Sequence, residues 1–249
     1  MNEFYVGYFP KAPSSVLQRI RRVIVALFLA GAVVAIGFAS VQKTFAPAVF
    51  EFGKIRTFEG VIELKPFPSL LMPASQSQGT GPSRYLLVAT GKHGADEQIA
   101  AYADRNVRLR GTLIHRENQM MIELVSGSIS PLAEVHQPKL ATKDLGAFEL
   151  IGEIVDSKCY LGVMNPGNGK VHRDCAARCL SGGIPPIFAT NDFRGAPAIL
   201  LLTGHDQKPI PKDVILDLVA RPVRVQGKVS QIGEYLLLES EPSAISSLP

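Results

Sequence analysis

The chain has no tryptophan, few aromatic residues (7%) and only three cysteines, and each shortage narrows its roles. Proteins that hold single-stranded nucleic acid need aromatic stacking platforms along a basic stripe. Here the formal charge is +4, but Lys11, Arg19, Arg21 and Arg22 against Glu3 place +3 of it within residues 1–41. The remaining chain is near neutral, so no nucleic-acid partner is expected. An odd number of cysteines cannot pair completely within one chain, and the sequence contains no C-x-x-C-H, so covalent c-type haem is not indicated.

Charge is also missing from Val23–Val41, an apolar run of 19 residues. At 1.5 Å per residue a helix of that length measures about 28 Å, close to the hydrocarbon thickness of a bilayer. A cleaved signal peptide is the competing reading, with Gly37-Phe38-Ala39-Ser40 supplying small residues. The run is longer than the usual signal-peptide core of about 7–15 residues, which favours an anchor. Arg19, Arg21 and Arg22 flank its N-terminal edge, whereas Lys43 is the one basic residue within ten residues of the other edge. The positive-inside bias therefore predicts a cytoplasmic tail over 1–22, a transmembrane helix over 23–41 in contact with lipid, and the rest facing the periplasm from the inner membrane.

Beyond the anchor the same unit is written twice. Phe58–Glu63 overlays Leu150–Val155, Tyr85–Gly91 overlays Ala198–Gly204, and Val107–Gly111 overlays Val223–Gly227. Gly111 to Glu123 and Gly227 to Glu239 are both 12 residues apart. Each copy consists of short β-branched and Leu-rich runs punctuated by Gly, which predicts strands of about five residues and a small barrel or sandwich. The expected fold is all-β: two tandem OB-like barrels, over 50–130 and 148–241, joined by a linker over 131–147. In this register His93 and His205 follow a shared Thr-Gly and read as turn residues.

The copies differ in one place. Gly60 to Gly91 spans 31 residues, but Gly152 to Gly204 spans 52, and the excess is a Cys-rich insertion over 156–186. It holds Cys159, His172, Cys175 and Cys179, spaced C-x12-H-x2-C-x3-C. Asp174 to Leu180 reads as a short helix with Asp174 as its N-cap and Gly182 as its stop. Cys175 and Cys179 then share a face four residues apart, aimed at a common point and badly placed to bond each other. Arg173, beside the first helical turn, favours thiolate at Cys175.

Three readings stay open. The four residues can ligate zinc, copper or an iron–sulfur centre. Cys159 can form a disulfide with either partner and staple the loop. Cys175 or Cys179 can act as a reactive thiol with His172 as base, assisted by Arg173 or Arg178. Asp156 reads first as a turn former and second as a carboxylate that orients His172.

At Asp156-Ser-Lys-Cys159, His172-Arg-Asp-Cys-Ala-Ala-Arg-Cys179 and Gly182-Gly-Ile-Pro-Pro186 the chain resembles a group of bacterial membrane-anchored or secreted OB-like proteins sharing V-D-S-x-C and C-A-x-x-C. The resemblance covers the second copy and implies no particular activity. A single N-terminal anchor with a periplasmic OB barrel is also similar to the haem chaperone of cytochrome c maturation, whose histidine motif is not recognisable here. The expected function is a non-catalytic, single-pass protein whose second barrel presents a metal or redox centre, as accessory subunit or assembly factor of a membrane electron-transfer complex. A thiol-reactive enzyme and a disulfide-stapled binding module are the alternatives.

Overall fold

The computed structural model describes residues 13–42, 48–74, 81–133 and 139–248. Residues 1–12 of the expected tail and 134–138 of the expected linker lie outside the described residues. The chain divides into two compact units, Met1–Ala46 and Pro47–Pro249.

The first unit contains one helix, α1 (Ser14–Gln42). It begins nine residues before the uncharged run and carries the three arginines within its own N-terminal turns. Its apolar residues point in every direction, with Leu27, Phe28 and Ile36 all exposed. Its stretch from Ser14 to Val41 is long and apolar enough to cross a bilayer.

The second unit is mostly β. Strands β1 (Ala48–Glu63), β2 (Ser69–Met72), β3 (Ser83–Val88), β4 (Asn106–Arg116) and β5 (Gln119–Leu124) form one sheet in the order β1-β2-β3-β5-β4. It closes through β1 against β4, and β6 (Ser130–Pro131) adds to β4. A single-turn helix, α2 (Asp96–Ile99), follows β3. The second sheet comprises β7 (Thr142–Asp156), β8 (Pro186–Phe193), β9 (Ala196–Thr203), β10 (Pro222–Ile232) and β11 (Tyr235–Glu239), with β12 (Ile245–Ser247) beside β10. Its order is β7-β8-β9-β11-β10, closed by β10 against β7. Helices α3 (Arg173–Ser181) and α4 (Lys212–Leu218) interrupt it. Both barrels therefore have five strands and one strand order.

The glycines explain how the strands coil tightly enough to close. A Cβ on Gly60 would lie 2.4 Å from the Leu71 carbonyl oxygen, and one on Gly152 would lie 2.3 Å from that of Ala189. The register agrees too, since Gly60 faces Val107 and Gly152 faces Val223.

One part of the overlay is shifted. β3 pairs in parallel with β5 through Leu86–Met121, and β9 pairs with β11 through Leu201–Leu237. Leu86 thus corresponds to Leu201, two residues away from the Thr-Gly alignment. The turns agree: the Ala89 N–H donates to the His93 carbonyl, and the Gly204 N–H to that of Lys208. Side chains alternate with period two, so a slide of two residues keeps every side chain on its face and the pattern cannot detect it. His93 and His205 are not equivalent. The expected linker is also shorter than 131–147, because β7 starts at Thr142 and its first residues pair with β10.

Each barrel has its own core. Ile62, Leu70, Leu87, Leu109 and Ile122 fill the first; Ile154, Phe188, Leu200, Val223 and Leu238 fill the second. A third cluster joins them, with Leu86, Ile114 and Met121 of the first barrel against Cys159, Cys179, Ile187 and Leu237 of the second. Within it the Tyr235 hydroxyl donates to the Met120 carbonyl at 2.6 Å and accepts the Met120 N–H at 2.9 Å. Burial pushes its ionisation well above the usual tyrosine range. Two barrels bound by an apolar seam hold whatever sits on that seam rigidly.

Candidate functional site

The insertion lies on this seam. It leaves β7 at Asp156, whose carboxylate is fully buried and does two things. Oδ1 accepts the Cys159 N–H at 2.8 Å, turning the chain, and Oδ2 is 2.9 Å from Nε2 of the buried His172. The ring nitrogen that donates to Asp156 is thereby fixed, and with it the ring orientation. Asp156 is therefore both turn former and orienter.

A single wide turn, Cys159–Val163, carries the chain across the first barrel. Gly162 passes so close to Val49 that a Cβ would lie 2.6 Å from its carbonyl carbon. The loop returns through Gly169, whose N–H donates to Glu153 at 2.5 Å, and enters α3. Asp174 does not cap that helix. His172 occupies the N-cap, since its side chain is drawn inward to Asp156, and Asp174 falls in the first turn. Gly182 does end the helix, and Gly183 takes the left-handed conformation with φ of +92°.

The thiols gather around Cys159, with Cys175 and Cys179 falling in separate groups rather than at one common point. Sγ of Cys159 and Cys175 lie 3.9 Å apart. These two sulfurs and a ring nitrogen of His172 lie within 4.8 Å of one another. Cys179 belongs to an overlapping group with Cys159 and Asp156, under the same limit. Cys159 is the shared corner. All three cysteines are unbridged; Cys159 and Cys179 are buried and Cys175 is partly accessible.

The cation at the thiols is Lys92 of the first barrel, and not Arg173 as the sequence suggested. Its ammonium donates to Cys175 Sγ at 2.8 Å and lies 3.7 Å from Cys179 Sγ. Arg173 stands one residue inside α3, and Arg178 is exposed. The Cys175 contact raises the Lys92 pKa, keeping it charged. Cys159 facing Cys179, its own burial and the nearby Asp156 push the Cys159 thiol up. The same Cys159 contact, helped by Lys92, holds Cys179 below the usual thiol range.

Lys158, next to Cys159, locks the insertion to the first barrel. Its buried ammonium pairs with Glu123 and donates to the carbonyls of Ala89 at 2.9 Å and Gly91 at 2.6 Å. Those carbonyls belong to the turn that carries Lys92. At the other end the Gly94 N–H donates to the Gly182 carbonyl at 2.9 Å. Neither lysine announces itself in the sequence.

Two thiolates bound to one tetrahedral zinc-sized ion at about 2.3 Å stand about 3.8 Å apart, whereas a disulfide needs about 2.05 Å. The observed 3.9 Å is too long for a disulfide and equals the contact distance of two free thiols, a spacing that one shared ion would also give. No protein-family model, curated protein or solved structure matches this chain.

Proposed function

We propose that the insertion is a metal centre in which Cys159, His172 and Cys175 are ligands and Cys179 completes the set. The observation that carries this reading is the convergence of three ligand atoms within 4.8 Å around a histidine whose ring is oriented by a buried carboxylate. The donor set suits zinc, copper or an iron–sulfur centre. Lys92 would offset the negative charge of several thiolates on one ion.

The barrels are read as OB-like copies of one duplicated unit, supported by their common strand order and matched glycines. With α1 as anchor and the arginines inside, the centre faces the periplasm at the inner membrane, where it serves as accessory subunit or assembly factor of an electron-transfer complex rather than as an enzyme. Metal content of the full-length protein, purified anaerobically, tests the centre. One metal per chain is expected, lost in Cys159→Ser and His172→Ala. A wild type with substoichiometric metal, unchanged in His172→Ala, would overturn it.

A second reading rests on Lys92. An ammonium 2.8 Å from a partly accessible thiol also suits a reactive Cys175 that exchanges disulfides with Cys159. Free-thiol counts with and without reductant separate the two: a redox couple loses two thiols on oxidation, while a filled metal site protects them.

A further inference from the structure

A cavity of about 350 Å³ opens between the barrels beyond the C-terminal end of α3. Its walls come from the β1–β2 loop, from the end of the insertion, and from the segment leading into α4. Phe67, Leu180, Ile184 and Ile215, all buried, form its apolar floor. Pro66, Pro68, Pro185, Pro186 and Pro209 also line it. Proline has no N–H, so these stretches of wall present no backbone donor that an apolar occupant would leave unpaired.

The mouth is charged. Lys65, Lys208 and Lys212 line it against one carboxylate, Asp96. All three lysines are exposed, and two already reach acceptors: Lys212 donates to the Ser181 carbonyl at 2.7 Å, and Lys208 lies 3.7 Å from Asp206. Exposed side chains on such weak contacts can turn to an incoming anion at little cost.

We propose that this cavity binds a single-chain amphiphile with an anionic head: the alkyl chain on the apolar floor, the carboxylate or phosphate among the lysines. A volume of 350 Å³ stands at the low end of ligand pockets, roughly 300–1,000 Å³, and suits one alkyl chain better than two. The site is separate from the cysteine centre, although Leu180 directly follows Cys179 and the Ile184 N–H donates to the Cys179 carbonyl. An occupant would therefore rest on the C-terminal end of α3, which carries that thiol.

The absence of tryptophan supplies the test. Leu64 lines the mouth and is 40% exposed, so Leu64→Trp places a lone reporter there without opening the core. The full-length variant, in a non-ionic amphipol, is titrated with octanoate, octyl phosphate and octyltrimethylammonium. Saturable emission changes are expected with both anions, about tenfold or more tighter than with the cation. The order of the two anions identifies the head group as carboxylate or phosphate. Adding Lys65→Glu and Lys212→Glu should abolish the preference for anions. Phe52→Trp, an exposed position that does not line the cavity, should show no saturable change. No saturable response at position 64, equal binding of the cation, or the same response at position 52 would overturn the proposal.

Discussion

Asp156 and Lys92 govern the centre without being among its expected ligands. Asp156 holds both the Cys159 amide and the His172 ring from zero exposure, so Asp156→Asn keeps the shape but weakens the acceptor facing the imidazole. If His172 ligates a metal, affinity should fall about 10–100-fold, as for other carboxylates that orient ligands, measured by chelator competition. An unchanged affinity would remove His172 from the centre. Lys92 makes a different prediction. Cys179 is held low first by Cys159 and then by Lys92, so its folded pKa lies below its unfolded one. That contribution to stability is present above the unfolded thiol pKa and is lost as pH falls through the folded value. Lys92→Met should move the thiolate absorbance transition of metal-depleted protein to higher pH and narrow that window. A transition that does not move would mean that Lys92 does not help to hold Cys179 low. Cysteine and histidine were legible because these types are rare and close in sequence. Lys92 was not, because 83 residues separate it from the thiol it touches.

At the scale of elements, α3 is seated by the absence of a side chain. A Cβ on Gly182 would lie 1.8 Å from the Lys92 carbonyl oxygen, a backbone atom that cannot swing away. Gly182→Ala should lift the end of α3 off the first barrel and cost about 1–3 kcal/mol in denaturant unfolding, with an added loss of metal if Lys92 moves with its turn. Ser181→Ala, one residue earlier and exposed, is the control and should stay within about 0.5 kcal/mol. The strands themselves were readable from the Leu-rich and β-branched runs, and the insertion from the spacing excess. The register of β3 was not, because a slide of two residues leaves the buried face unchanged. The helix cap was misplaced for a related reason: Asp174 has the right chemistry, but His172 is held inward by a carboxylate 16 residues away.

For the whole molecule, repetition suggested two independent barrels, yet the seam cluster makes each the other's solvent shield. Val155, Ile187, Leu201 and Leu237 are all 3% exposed or less, and each meets the first barrel through that cluster. A fragment of residues 139–248 should therefore bind a hydrophobic dye and unfold at lower urea than the same barrel in the full chain. A dye-silent fragment of full stability would show that the seam is dispensable. Lys158 adds a matter of timing. A ribosome releases the chain from its N-terminus, so Ala89, Gly91, Lys92 and Glu123 emerge before any cysteine does, and domains tend to fold in that order. The first barrel is then ready as a receiving surface, with two carbonyls and a carboxylate waiting for one ammonium. Cys159 and Cys179 then meet a formed surface as soon as they are made, which shortens their exposure to oxidants and stray metal.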